Sequence, residues 1–190
     1  MNISIQPYGS SRCYCRPDTT WERESKDFYS PESVNSLHWT PVVYVRISKA
    51  GKCISGKFVS RYYDGVGFGT LLYIGDFLGD FLPDLASASC ADHTSILPSP
   101  VGGQELLETA DKSCEFFRNG ERIFSHTTEG LKEKVEEAIC RASMLTTLRI
   151  GDFVAVELAP AAQICDRSEE ETKIKAVFEE NDLFDFKLIF

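Results

Sequence analysis

The sequence predicts an α+β fold with a predominance of strands. Three observations predict it. Val42, Val43, Tyr44, Val45 and Ile47 form a dense β-branched and aromatic run without helical spacing, the pattern of a strand buried on both faces. Asn119-Gly120 divides two apolar runs between Glu115 and Phe124, and an Asn-Gly pair accepts the positive φ values of a tight hairpin turn. After Thr127 and Thr128, Leu131, Val135, Ala138, Ile139 and Ala142 make one stripe with Lys132, Glu133, Lys134, Glu136 and Glu137 opposite, the pattern of a helix packed on a sheet.

Taken in order, Met1 to Ile5 reads as a short strand, a Gly-Ser-Ser turn follows, and a second extended run through Tyr14 ends at Arg16-Pro17-Asp18, because proline holds its predecessor extended. Residues 22–37 are polar and turn-rich and read as a loop with one short extended piece. The strand from Val42 ends at Lys49-Ala50-Gly51-Lys52. Ser55 then caps a short helix carrying Phe58, Val59 and Tyr62, which Gly65, Gly67 and Gly69 break before a strand from Thr70 to Ile74. Asp76, Asp80 and Asp84 recur every four residues opposite Phe77, Leu78, Phe81 and Leu82, as on the solvated face of a short helix interrupted at Pro83. Pro98, Pro100, Gly102 and Gly103 make a loop. The helix from Thr127 or Thr128 runs to about Ala142, and strands follow at Phe153 to Leu158, Lys173 to Phe178 and Phe184 to Phe190.

The 190 residues are enough for one domain, 1–190, with a core of its own. A formal charge of −9 opposes a polyanionic surface, and no Lys/Arg stripe is interleaved with aromatics, so nucleic acid is not an expected partner. No apolar segment reaches the roughly 18 to 20 residues that span a bilayer. The N-terminus lacks the charged and apolar regions of a signal peptide, and a cytoplasmic address is expected. Seven cysteines without paired CxxC spacing suit buried free thiols, not a disulfide framework or a zinc finger. There is no GxGxxG, P-loop, HExxH or GxSxG. His93 beside Asp92 is the one base a neighbouring carboxylate could hold.

In order and spacing, several motifs resemble the fumarylacetoacetate hydrolase family in its short, single-domain bacterial form. Cys15-Arg16-Pro17-Asp18 is similar to the family's Met-Lys-Pro-Asp, and His38 to Ile47 to its His-Tyr-Glu-x-Glu-Leu-Val-Val-Arg-Ile strand. Gly51-Lys52 through Arg61-Tyr62-Tyr63-Asp64 resembles the next helix. Asn119-Gly120-Glu121 and Thr147-Leu148-Arg149-Ile150-Gly151-Asp152 resemble its Asn-Gly-Glu hairpin and Thr-Leu-x-x-Gly-Asp segment. The resemblance implies a mixed β-sheet roll with a few short helices, and chemistry on β-dicarbonyl acids with a divalent cation held by carboxylates. In register, the two glutamates of Glu-x-Glu fall on Thr40 and Val42, the third ligand on Leu71 and the catalytic lysine on Ser89. The substrate-binding Thr-Gly-Thr-Pro falls on Val156-Glu157-Leu158-Ala159. The resemblance therefore implies a pseudoenzyme without cofactor, a homodimer or a heteromer with an active relative, and a remnant pocket at Asp18, Asp92 and His93 for a small organic acid. The rival reading is an Mg²⁺- or Mn²⁺-dependent hydrolase, isomerase or decarboxylase with relocated groups, at Asp92 and His93 or along Asp76 to Asp84.

Overall fold

The computed structural model describes residues 1–79 and 82–190. Along the chain the strands are β1 (Ile3–Gln6), β2 (Tyr14–Arg16), β3 (Trp21–Glu22), β4 (Phe28–Tyr29), β5 (Ser36–Ile47), β6 (Tyr63–Ile74) and β7 (Ser95–Ile96), followed by β8 (Ser113–Arg118), β9 (Glu121–Thr127), β10 (Phe153–Glu157), β11 (Ala162–Asp166), β12 (Glu171–Phe178) and β13 (Asn181–Ile189). Helix α1 (Leu82–Ala88) precedes β7, and α2 (Leu131–Leu145) follows β9. One sheet has the order β2-β1-β10-β5-β6-β7-β3, with β11 also paired to β5. The other has the order β4-β13-β12-β8-β9.

The first sheet rolls up. Its edge strands β2 and β3 stand at opposite ends of that order, yet only Pro17 to Thr20 separate them in sequence. A single side chain spans the join: Arg16, on β2, donates from Nη1 to the carbonyls of Leu72 (3.0 Å) and Thr94 (3.2 Å) beside β6 and β7. On the inner face of the roll Ile3, Ile5, Val42, Tyr44, Leu71, Tyr73, Phe153 and Ala155 pack with Ala88 and Leu97. On the outer face Val43, Val45, Phe68, Leu72, Val154 and Val156 pack against α2 and against Phe116, Ile174, Ala176 and Phe186 of the second sheet. Strand β5 is thus buried on both faces, as its continuous apolar run predicts.

Several boundaries differ from expectation. The glycines after Tyr63 do not break a helix; they lie within β6, which begins at Tyr63. A methyl on Gly67 would collide with the Tyr44 ring, and one on Gly69 with the Ile96 carbonyl, so both residues serve close approach inside the roll. The segment capped by Ser55 is a 3₁₀ helix, Gly56–Arg61, without a side-chain cap. Asp76 lies on a 3₁₀ turn, Gly75–Phe77, and Asp84 on α1, so the aspartate row does not share one helix; Asp80 and Phe81 lie outside the described residues. Pro83 does not interrupt α1, whose first turn contains it, where a proline lacks no needed donor. Helix α2 starts three residues beyond Thr128, at Leu131, with Gly130 as its N-cap at φ 68°. The hairpin forms as read, with Asn119 and Gly120 at φ 50° and 85°. All seven cysteines are free, but only Cys114 and Cys165 are buried.

Candidate functional site

Antiparallel partners point to the same face, and so do residues two apart on a strand. Pairing of Thr40 with Leu71, and of Val42 with both Gly69 and Glu157, therefore sets Thr40, Val42, Leu71 and Glu157 on the inner face of the roll. Thr40, Val42 and Leu71 are each 0% exposed. Val42 and Leu71 are aliphatic and packed among Ile3, Ile5, Tyr44 and Leu97, while the Thr40 hydroxyl donates to the Ala159 carbonyl at 2.6 Å. Ser89, just past α1, is buried and spends its hydroxyl on the Ala86 carbonyl at 3.2 Å. A hard divalent cation takes six or more oxygen ligands. These residues do not fit one, and among the described residues no group of three His, Cys, Asp or Glu side chains is placed to hold a metal.

A polar network lies beside them that the sequence reading missed. Arg16 is 2% exposed, stacks 4.4 Å above the Tyr73 ring and points Nε at the Tyr14 hydroxyl, 3.4 Å away. Tyr14 and Tyr73 share a hydroxyl bond of 2.8 Å, Tyr73 donates in turn to Glu157, and the other Glu157 oxygen accepts the Tyr8 backbone N–H at 2.9 Å. A buried guanidinium and a buried carboxylate are thereby joined through two phenols. Burial raises the pKa of Glu157 and pushes that of Tyr73 well up, with the hydrogen bonds between them acting in opposite senses on the two groups. Arg16 Nη2 is buried and makes no hydrogen bond among the described residues. The available signals were a lone arginine on a short strand and Glu157 inside the apolar run Phe153 to Leu158.

The residues read as a remnant pocket are not brought together as one. Asp18 is exposed, with a carboxylate oxygen 3.7 Å from the N-terminal ammonium. Asp92 and His93 line a cleft of about 650 Å³ with Glu22, Lys26, Asp27, Phe28, Tyr29 and Cys90, and Asp18 is not in its wall. Nor is Asp92 the partner of His93. The imidazole Nδ1 lies 3.1 Å from Oε2 of Glu22, because adjacent side chains diverge while β3, pairing with β7, carries Glu22 beside the His93 loop. Asp76 is spent on the Asn35 and Ser36 backbone N–H groups, a turn cap and not a reactive carboxylate.

No protein-family model and no curated protein matches the sequence. Solved structures do. A protein of Yersinia pestis assigned to the fumarylacetoacetate hydrolase family superposes with a TM-score of 0.81 at 16% identity, over 99% of this chain and 92% of its own. A 2-hydroxyhepta-2,4-diene-1,7-dioate isomerase of Mycobacterium marinum gives 0.81 at 15% identity, over 99% of this chain and 74% of its own. A 5-carboxymethyl-2-hydroxymuconate delta-isomerase of Mycobacterium smegmatis gives 0.81 at 14%, over 99% and 78%.

Proposed function

We propose that this chain, whose fold is that of the fumarylacetoacetate hydrolase family, is a member that has lost the family's metal-dependent reaction. Its role is structural or regulatory, or the binding of a small organic acid. The observation that carries the reading is the trio Thr40, Val42 and Leu71, fully buried on one sheet face and filled with aliphatic atoms where the resemblance puts three carboxylates. Arg16 adds to it: a fixed cation already balances the buried Glu157 carboxylate through Tyr14 and Tyr73, so this face needs no metal charge to be stable. The protein is cytoplasmic in this reading. It acts as a homodimer or paired with an active relative, since closed two-fold assemblies are the commonest.

The test is thermal unfolding with 1 mM Mg²⁺, Mn²⁺ or Ca²⁺, together with turnover assays on acylpyruvates and β-keto acids. A site with a Kd of about 10 μM would add about 2.7 kcal/mol at 1 mM, a shift of several degrees. The expected result is no shift and no turnover. Cation-dependent turnover decides instead for the rival, a hydrolase, isomerase or decarboxylase with relocated ligands. Sedimentation showing a monomer across the micromolar range, with no relative retained in a pull-down, removes the assembly part of the reading.

A further inference from the structure

The His93 cleft supports a different chemistry from the one the fold suggests. Glu22 is nearly buried, with one oxygen 3.1 Å from His93 Nδ1 and the other accepting the Glu24 backbone N–H at 2.7 Å. A carboxylate can only accept, so in the neutral imidazole the proton sits on Nδ1 and the lone pair on Nε2, on a side chain that is 61% exposed. The His93 backbone is left-handed, with φ 59°, and is held there from both sides. Its N–H donates to the Thr19 carbonyl at 3.2 Å, and the next residue, Thr94, is gripped by Arg16. A base oriented by a buried carboxylate, on an over-determined backbone beside a cleft, is the arrangement that proton transfer requires.

We propose that this cleft is a general-base site in which His93, positioned by Glu22, hydrolyses small neutral esters. Phe28 and Tyr29 supply apolar walls for the acyl or alcohol group. Glu22, Asp27 and Asp92 outweigh Lys26, whose ammonium is turned to Glu24 at 2.9 Å, and so disfavour anionic substrates. In the step, Nε2 takes a proton from water as the water oxygen bonds to the carbonyl carbon. When the adduct collapses, the carbon–oxygen bond to the alcohol breaks and the proton passes from His93 to the departing oxygen. Ester and water become acid and alcohol, and the imidazole returns to neutrality. The proposal does not rest on the sheet-face reading above.

The probe is 4-nitrophenyl acetate. General-base catalysis contributes about 10²–10⁴-fold, so the expected rate saturates with substrate and exceeds that of equimolar free imidazole by at least about tenfold. His93→Asn, whose side chain tolerates the left-handed backbone, loses the saturable rate; His126→Gln, on β9, keeps it. Glu22→Gln lowers kcat about tenfold with KM little changed, and shifts the ¹⁵N spectrum of His93 away from the Nδ1–H tautomer. In His93→Gly, added imidazole restores turnover. A rate linear in ester and no faster than imidazole overturns the proposal, as does a saturable rate that survives in folded His93→Asn. A Glu22→Gln variant with unaltered kcat and tautomer overturns the positioning role and with it the dyad.

Discussion

Replacing Arg16 with methionine tests the closure of the roll. Methionine keeps the stem's length and apolar contact but removes the guanidinium that reaches Leu72 and Thr94 and stacks on Tyr73. Hydrogen bonds from a charged donor contribute about 1.5–3 kcal/mol each without adding simply. Removing one member of a buried charge pair costs about 3–5 kcal/mol, because the other charge stays behind. Here that charge is Glu157, 7% exposed and joined to Arg16 through Tyr14 and Tyr73. Arg16→Met should therefore cost about 3–5 kcal/mol, a large part of the roughly 5–15 kcal/mol that holds a domain together. In a Glu157→Gln background, which carries no charge to strand, the same replacement should cost about 1–3 kcal/mol less. Urea denaturation of the four proteins at pH 8 measures this, read by circular dichroism and by Trp21, whose indole N–H donates to the Leu97 carbonyl at 2.9 Å. An Arg16→Met cost below about 1 kcal/mol, or costs that merely add, would refute the view that Arg16 closes the sheet and balances Glu157.

The pH dependence follows from the same carboxylate. Burial raises the folded pKa of Glu157 above its unfolded value, so its contribution is fully present below the unfolded value and is lost as pH rises through the folded one. Relative to Glu157→Gln, the parent should lose stability over that interval; urea midpoints that differ by a constant amount from pH 4 to 8 would contradict it. Leu71→Asp should cost at least about 3 kcal/mol by cavity and buried charge, with no rescue by manganese. The triple Thr40→Glu, Val42→Glu, Leu71→Asp should gain calorimetric stability with manganese, and no gain would show that these positions do not converge on one site. Gly67→Ala should cost about 1–3 kcal/mol by overpacking on Tyr44, and shortening that ring with Tyr44→Leu should recover part of it in chemical denaturation.

The strands that sequence pattern could find were those with a pattern of their own. The β5 run, the Asn119-Gly120 hairpin and the α2 stripe each encode their environment locally, in residue type and period. Strand β7 has two residues, and β11 lies on a stretch too mixed to alternate cleanly, so both exist only because a neighbouring strand pairs with them. The glycines of β6 were misread for a related reason. A glycine that breaks a helix and one that admits the Tyr44 ring look alike until the ring is placed. That Thr40, Val42 and Leu71 lie close together was legible from the two strands that carry them, which pair Thr40 with Leu71 and put all three on one sheet face. Arg16 with Glu157, and Glu22 with His93, stand 141 and 71 positions apart; no spacing rule joins such pairs, and only the curl of the sheet does.

In the parallel pairing of β1 with β10, Ile3 lies beside Phe153, and the Asn2 backbone N–H reaches the Asp152 carboxylate across 150 positions of sequence. At a synthesis speed of about 5–20 residues per second, the nascent β1 waits roughly 8–30 s for the strand that covers it. During that wait β1 and β2 form at most a two-stranded ribbon, marginal in water, with one edge of unpaired amides and carbonyls beside Ile3 and Ile5. Ile3 and Ile5 are thus synthesised well before the strand that shelters them. A translational pause between β1 and β10 prolongs the exposure of a sticky edge, and a chaperone that masks it is needed over that interval.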